Sequence, residues 1–170
     1  MSLEGQSIKL IEEGVFRVKI DDQTIEEMIK VGHYDHIESE VISIITSKQY
    51  FPVTKREIGE KEIYLVHFDL SEPPLGHRIS TEKVLRELDK KGFRPAELPE
   101  LLALGVQYPD LQRKFDIIAL GTICSIPTGL GFNFRYGFSL WSNYDEQRFS
   151  VTNLSNDWIS SDYFAAASKI

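Results

Sequence analysis

Apolar and polar residues alternate along much of this chain, and that alternation predicts strands more often than helices. Residues 7–20 alternate on both sides of Glu13-Gly14, which predicts a β-hairpin with its turn there. Residues 62–70 place apolar side chains on both faces, which predicts a strand covered on two sides. Residues 72–77 hold Pro, Pro and Gly and are predicted to be a linker.

Capping signals predict three to four short helices. The segments that begin with a capping residue and end at a glycine run from Thr24 to Gly32, from Ser80 or Thr81 to Gly92, and from Glu97 to Gly105. Two further segments are less regular. Residues 33–54 are predicted to hold one short helical or irregular element and then a loop, and residues 108–114 one more helical turn.

The last part of the chain reads as strands without a helical period. The predicted strands cover 117–120, 133–141, 148–154 and 163–168, with Gly, Asn and Asp in the turns. Strict alternation divides the second of them into a buried set, Phe132, Phe134, Tyr136, Phe138 and Leu140, and an outward set, Asn133, Arg135, Ser139 and Trp141. The fold class is therefore α+β, with mainly antiparallel sheets. It is expected as a single domain with lobes over 7–72 and 78–170.

Composition narrows the classes of function. The chain has 170 residues, 42% of them hydrophobic, which is enough for a packed core. Its formal charge is −7 and its basic residues are scattered, so nucleic-acid binding is disfavoured. No apolar run reaches the length of a membrane span, and no signal-peptide pattern is visible, so a cytoplasmic location is expected. The single cysteine, Cys124, excludes an internal disulfide.

A long motif carries a resemblance to a known family. Its parts are Gly92-Phe93-Arg94-Pro95-Ala96, Pro99-Glu100-Leu101-Leu102, Tyr108-Pro109-Asp110-Leu111-Gln112-Arg113, Ile118-Ala119-Leu120-Gly121 and the closing Tyr163-Phe164-Ala165-Ala166-Ala167. Together they resemble a family of bacterial proteins to which no activity is assigned. The resemblance therefore implies no reaction and no cofactor.

The order of elements in residues 78–170 also resembles bacterial C-type-lectin-like domains, in which two helices precede strands that bear Trp and Tyr. The oxidising enzymes of that group depend on paired cysteines, and Cys124 has no partner. Calcium-dependent sugar binding in that group uses a Trp-Asn-Asp motif, and Asn156-Asp157-Trp158 has a different order. The resemblance thus implies a C-type-lectin-like C-terminal half, without either of those activities.

Several residues invite a chemical reading. An enzyme could use His67 or Cys124 in a cleft between the lobes, although neither residue has an activating neighbour in the sequence. His33, Asp35 and His36 could contribute to a metal site, but a surface loop is the simpler interpretation, and no metal or other cofactor is predicted. The acidic pairs Asp21-Asp22 and Glu38/Glu40 are read as helix starts or solvated faces.

The favoured hypothesis is a non-enzymatic module that binds a protein, peptide or glycan through an aromatic and Asn-rich surface. Rigid amphipathic side chains provide contact area at a low entropic penalty. The residues predicted to form that surface are Arg135, Trp141, Asn143, Tyr144, Arg148, Asn153, Asn156 and Trp158. A structural or mobile-element protein is a further alternative, in which a homodimer interface would cover the aromatic face.

Overall fold

The computed structural model describes residues 8–47, 58–70 and 78–169. Within them, eight strands form one sheet in the order β1-β3-β8-β5-β6-β7-β2, and β4 pairs with β8. The strands are β1 (Lys9–Ile20), β2 (His36–Ile37), β3 (Gly59–Asp69), β4 (Phe93–Pro95), β5 (Asp116–Pro127), β6 (Asn133–Asn143), β7 (Glu146–Asn153) and β8 (Asp162–Ser168). The predicted linker at 72–77 lies outside the described residues, as does the predicted loop after residue 47.

The helices in these ranges are α1 (Ile25–Val31), α2 (Ser39–Thr46), α3 (Thr81–Lys90), α4 (Leu98–Gln107) and α5 (Leu111–Lys114). The α+β class is confirmed, with five helices against the expected three to four. The predicted capping box is present in α1, where Thr24 Oγ1 accepts from Glu27 N at 3.1 Å and Glu27 Oε2 accepts from Thr24 N at 3.0 Å. No described helix has the length and apolar character needed to span a membrane.

The predicted N-terminal hairpin is wrong. Residues 9–20 form one strand, β1, which pairs along its whole length with β3 in antiparallel register. The ladder shifts by one residue between Glu12 and Gly14, so the Glu13-Gly14 pair makes a β-bulge where a turn was expected. A glycine after a polar residue is compatible with both a hairpin turn and a β-bulge. Here the pairing of β1 with β3 along its whole length produces the bulge.

The sheet is apolar on both faces, and the faces are covered unequally. On the first face, α1, α2 and α4 pack on side chains of the central strands, including Leu65, Ile117, Phe138, Leu140 and Phe149. On the second face, α3 packs on β3, β5 and β8 through Val84, Leu88, Phe68, Leu120 and Phe164. Because β3 pairs with β8, strands from both predicted lobes belong to the same sheet. The second face over β6 and β7 has no described helix above it.

The motif behind the family resemblance has a structural explanation. Arg94 donates from Nη1 and Nη2 to the two carboxylate oxygens of buried Glu100, at 2.8 Å each. Glu100 Oε1 also accepts from the backbone N of Glu97 and so caps α4. The hydrogen bond to Glu100 raises the pKa of Arg94. Gly121 N donates to Ala96 O at 2.8 Å, and a Cβ on Gly121 would lie 2.6 Å from that oxygen. These contacts fix α4 against β5.

Glu100 and Glu82 each pair with an arginine, the first in a buried and the second in an exposed setting, and the comparison gives a direct test. Glu100→Gln removes the charge from a buried bidentate pair, so the free energy of unfolding should fall by about 2–3 kcal/mol. Glu82→Gln removes the exposed partner of Arg135, whose ion pair measures 3.2 Å, and should change it by less than about 0.5 kcal/mol. Urea unfolding of both variants measures the difference. Equal effects would contradict the role given to the Arg94–Glu100 pair.

Candidate functional site

The uncovered part of the second sheet face holds two adjacent rows of side chains. In the first row, Asp162 and Asp116 are partners on the parallel strands β8 and β5, and Trp141 and Arg148 are partners on β6 and β7. The antiparallel register of β5 and β6 places Asp116 opposite Trp141. These four side chains therefore stand side by side on one face, spaced by about 5 Å between strands.

The second row lies one pleat further along the same face. Ile118 pairs with Ser139, and Ser139 pairs with Ser150. Glu38 follows the short strand β2, which pairs in parallel with β7, so Glu38 extends the row beyond Ser150. Its Oε2 accepts from Val151 N at 3.2 Å, which anchors that carboxylate at the edge of the sheet.

The two rows form the floor of a pocket of about 310 Å³. The residues that line it are Glu38, Asp116, Ile118, Ser139, Trp141, Ser150, Val151, Thr152, Trp158 and Asp162. Trp158 closes the side where the cover by α3 ends. Its indole Nε1 donates to Thr81 Oγ1 at 2.9 Å, and Thr81 Oγ1 donates to Leu154 O at 2.8 Å, so the ring is fixed against α3.

Trp141 is the aromatic residue at the centre of the floor. Its indole Nε1 donates to Ser150 Oγ at 2.9 Å, and the guanidinium carbon of Arg148 lies 5.3 Å from the ring centroid. From the opposite face, Gln112 Nε2 donates to the carbonyl oxygens of Trp141 and Arg148 at 3.0 and 3.2 Å. The ring is therefore held in place before any ligand arrives.

Ser139 presents a hydroxyl to the pocket. Its residue surface is only 7% exposed, and among the described residues its hydroxyl has no hydrogen-bond partner. The hydroxyl opens into the pocket, so water can satisfy it until a ligand group takes the place of that water. A hydroxyl that lines a pocket in this state is available to a ligand.

The two aspartates are electrostatically unfavourable neighbours. Burial raises the pKa of Asp116 above the ordinary aspartate value. Burial also raises the pKa of Asp162, and the nearby charge of Asp116 adds to the rise. Asp162 Oδ2 accepts from Ile159 N at 2.9 Å, which offsets part of that effect. When both are ionised, the two carboxylates therefore place like charges side by side on one side of the pocket.

The structure brings together only some of the predicted surface residues. Trp141 and Trp158 line the pocket, and Arg148 lies beside it on the same face. Asn143 and Tyr144 lie at the β6–β7 turn, where Tyr144 is 96% exposed. The remaining three lie towards the opposite end of these strands or in the loop that follows: Arg135 pairs with Glu82, Asn153 accepts from Ser155, and Asn156 is exposed.

Two expectations about individual aromatic residues are wrong. Trp158 was expected on the exposed surface, but it is only 6% exposed, because it packs beside α3 on Phe164. Phe132 and Phe134 were expected in the core, but they are 53% and 42% exposed. The cover by α2 reaches Tyr136, and the β5–β6 hairpin extends beyond it. The alternation of apolar and polar residues thus assigned each side chain of β6 to the correct face of the sheet. It could not show where the helices that cover that face end.

His67 and Cys124 are not brought together. His67 contacts Tyr163 and lies 3.3 Å from Glu13 on the first-face side of β3, level with the start of β5. Cys124 lies near the other end of β5, fully buried among apolar side chains. Burial raises the pKa of the Cys124 thiol to about 11, so it is protonated at neutral pH. The proposed inter-lobe enzyme site has no shared cleft for these two residues.

Sequence analysis missed Asp116, Asp162, Ser139 and Ser150 as site residues. Each aspartate directly precedes a predicted strand, but only the parallel pairing of β5 with β8 shows that the two meet. The His33, Asp35 and His36 cluster is spread over a loop and β2, with Asp35 Oδ2 accepting from Gln147 N at 2.8 Å. Over the described ranges, no group of three or more His, Cys, Asp or Glu side chains is placed to hold a metal ion.

Comparison of the chain with protein-family models, with curated proteins and with solved structures found no match. Function is therefore inferred from the side chains of the pocket.

The aspartate pair predicts a particular pH dependence of stability. Because both pKa values are higher in the folded chain, the folded state binds more protons, and stability falls as pH rises above the ordinary aspartate pKa of about 4. Asp116→Asn should raise the melting temperature at neutral pH and leave it nearly unchanged at low pH. Asp145→Asn, at the exposed β6–β7 turn, is the matched control for net charge. Thermal unfolding across this pH range that shows equal shifts for both variants would contradict the repulsion.

Proposed function

We propose that the chain is a non-enzymatic binding module whose ligand occupies the pocket above β5, β6, β7 and β8. The observation that carries the proposal is the pairing of a fixed aromatic floor, Trp141, with a hydroxyl, Ser139, that opens into the pocket and has no hydrogen-bond partner among the described residues. Small-ligand sites typically combine apolar or aromatic walls with a few convergent polar groups. The volume of about 310 Å³ suits a small molecule or a single side chain of a partner.

Binding is favoured over catalysis because the candidate nucleophile lacks activation. A serine needs a hydrogen-bonded base to become nucleophilic, and the Ser139 hydroxyl has none among the described residues. The Ser150 hydroxyl is engaged as an acceptor by the Trp141 indole. The enzyme alternative is also weakened by the separation of His67 from Cys124 along β5. A pocket with free polar groups likewise favours binding over a purely structural role.

The wider features expected from the sequence remain proposals. The hairpin residues Asn143 and Tyr144 lie at the tip of the strands that carry the pocket, where they could contact the body of a protein or peptide whose end enters it. A C-type-lectin-like C-terminal half is supported by the order of α3 and α4 followed by β5 to β8.

Removal of the aromatic floor tests the proposal. A panel of amino acids, aliphatic amines, monosaccharides and nucleosides is screened against the full chain by the rise in melting temperature. Trp141→Ala should abolish every rise seen with the native chain, because the ring supplies most of the contact area. Its own melting temperature should stay within about 5 °C of the native value, since Trp141 is only half-buried.

Tyr144→Ala is the control, because that ring is almost fully exposed at the hairpin tip. The Tyr144→Ala variant should show every ligand-induced rise in melting temperature that the native chain shows. Binding that survives Trp141→Ala, or that is lost with Tyr144→Ala alone, would place the ligand outside the pocket.

A further inference from the structure

We propose that the ligand group which enters the pocket is an organic cation, an ammonium or a guanidinium, held between Asp162, Asp116 and the ring of Trp141. This inference rests on the proposed function and names the chemistry of the same site. It follows from the charge, the aromatic floor and the free polar groups of the two rows.

The lining is acidic without a compensating cation. Three of its residues, Glu38, Asp116 and Asp162, carry carboxylates, and none of its described residues is Lys, Arg or His. Arg148, which neighbours Trp141 but is not part of the lining, has its guanidinium over that ring and donates from Nη2 to Glu146 at 2.9 Å. An anionic ligand would meet these carboxylates, whereas a cation would be attracted by them.

The aspartate pair has unsatisfied capacity for a donor. One oxygen of Asp162 accepts from Ile159 N, and the Asp116 carboxylate has no hydrogen bond or ion pair among the described residues. Burial raises the pKa of both, and the nearby charge of Asp116 adds to the rise at Asp162, as expected for carboxylates that lack a positive partner. A cation between them removes the repulsion and provides hydrogen bonds to the free oxygens.

Trp141 and Ser139 distinguish an organic cation from a metal ion. An ammonium or guanidinium gains from the face of an indole ring, and its N–H groups can donate to the Ser139 hydroxyl. A metal ion requires several converging ligands, and the described residues contain no such group. Arg148 already lies 5.3 Å from the Trp141 centroid, on the β7 side, so a ligand cation would meet the ring from the β5 side, where Asp116 stands.

Three probes with the same carbon chain separate charge from shape. Butylamine, butanol and butyrate present a cation, a neutral hydroxyl and an anion, and each is titrated into the native full chain with ¹H–¹⁵N NMR detection. Butylamine should bind at least about tenfold more tightly than butanol, and butyrate should not bind.

Variants that each remove one carboxylate charge show which residues bind the cation. Asp116→Asn and Asp162→Asn should each weaken butylamine binding by about tenfold, whereas the charge-matched control Asp145→Asn should leave it unchanged. If butanol or butyrate binds as well as butylamine and Trp141→Ala removes that binding, the cation class is overturned while the pocket remains a binding site. If butylamine binding is insensitive to both aspartates, or if butylamine does not bind at all, the inference is overturned as well. The proposed function is judged separately by the panel.

Two sources could supply the cation, and a second pair of probes separates them. Putrescine represents a free amine, and the blocked tripeptide Gly-Lys-Gly represents a lysine side chain of a protein partner. Tighter binding of the tripeptide, with shifts that extend to Asn143 and Tyr144, would identify a protein partner. Tighter binding of putrescine, confined to the pocket, would identify a small-molecule ligand.

Discussion

Helices cover the two faces of the sheet to different extents, and the rest of this structure depends on that difference. A central strand such as β5 is apolar on both faces, so both must be packed against other elements. The first face receives α1, α2, α4 and α5, and the second receives α3 and the segment around Trp158. Among the described residues, the second face is thus sealed over β3 and β8 and left open over β6 and β7. The pocket is the boundary between the sealed and the open parts.

At that boundary the side chains of the sheet change from apolar to polar, because only the covered part is packed against another element. Where α3 covers the sheet, β5 and β8 present Leu120 and Phe164. Where the cover ends, the same strands present Asp116 and Asp162, and β6 presents Ser139 and Trp141. The rigid surroundings hold these groups in place, since Trp158 is hydrogen-bonded to α3 and Trp141 to β7. A site whose groups are fixed in advance spends less binding free energy on ordering them.

Local patterns in the sequence predicted the elements well because their causes are local. The Thr24 box, the Ser80 cap and the alternation in β6 each depend on residues within one turn or one strand. The register that places Asp116 beside Asp162 depends on a parallel pairing between distant strands, which no local pattern encodes.

The errors have the same origin. The Glu13-Gly14 bulge was read as a turn because its partner strand lies about fifty residues away along the chain. Phe132 and Phe134 were assigned to the core, but they are exposed. Alternation shows which face of the sheet a residue lies on, and it does not show whether another element packs over that position. Trp141 and Trp158 are the pocket residues that the sequence indicated, the first of them as an aromatic residue on the polar face of a strand. Ser139, next to Trp141, carries no signal in a single sequence.

The two indole N–H signals of the chain, from Trp141 and Trp158, report on the pocket most directly. A ¹H–¹⁵N spectrum recorded with each binding member of the small-molecule panel should show the Trp141 indole signal moving together with the amides of Ser139 and Ser150. The amide of Phe132 at the distant hairpin should stay fixed. Shifts concentrated around Phe132 and Phe134, with both indole signals unmoved, would contradict the assignment of the open sheet face as the ligand site.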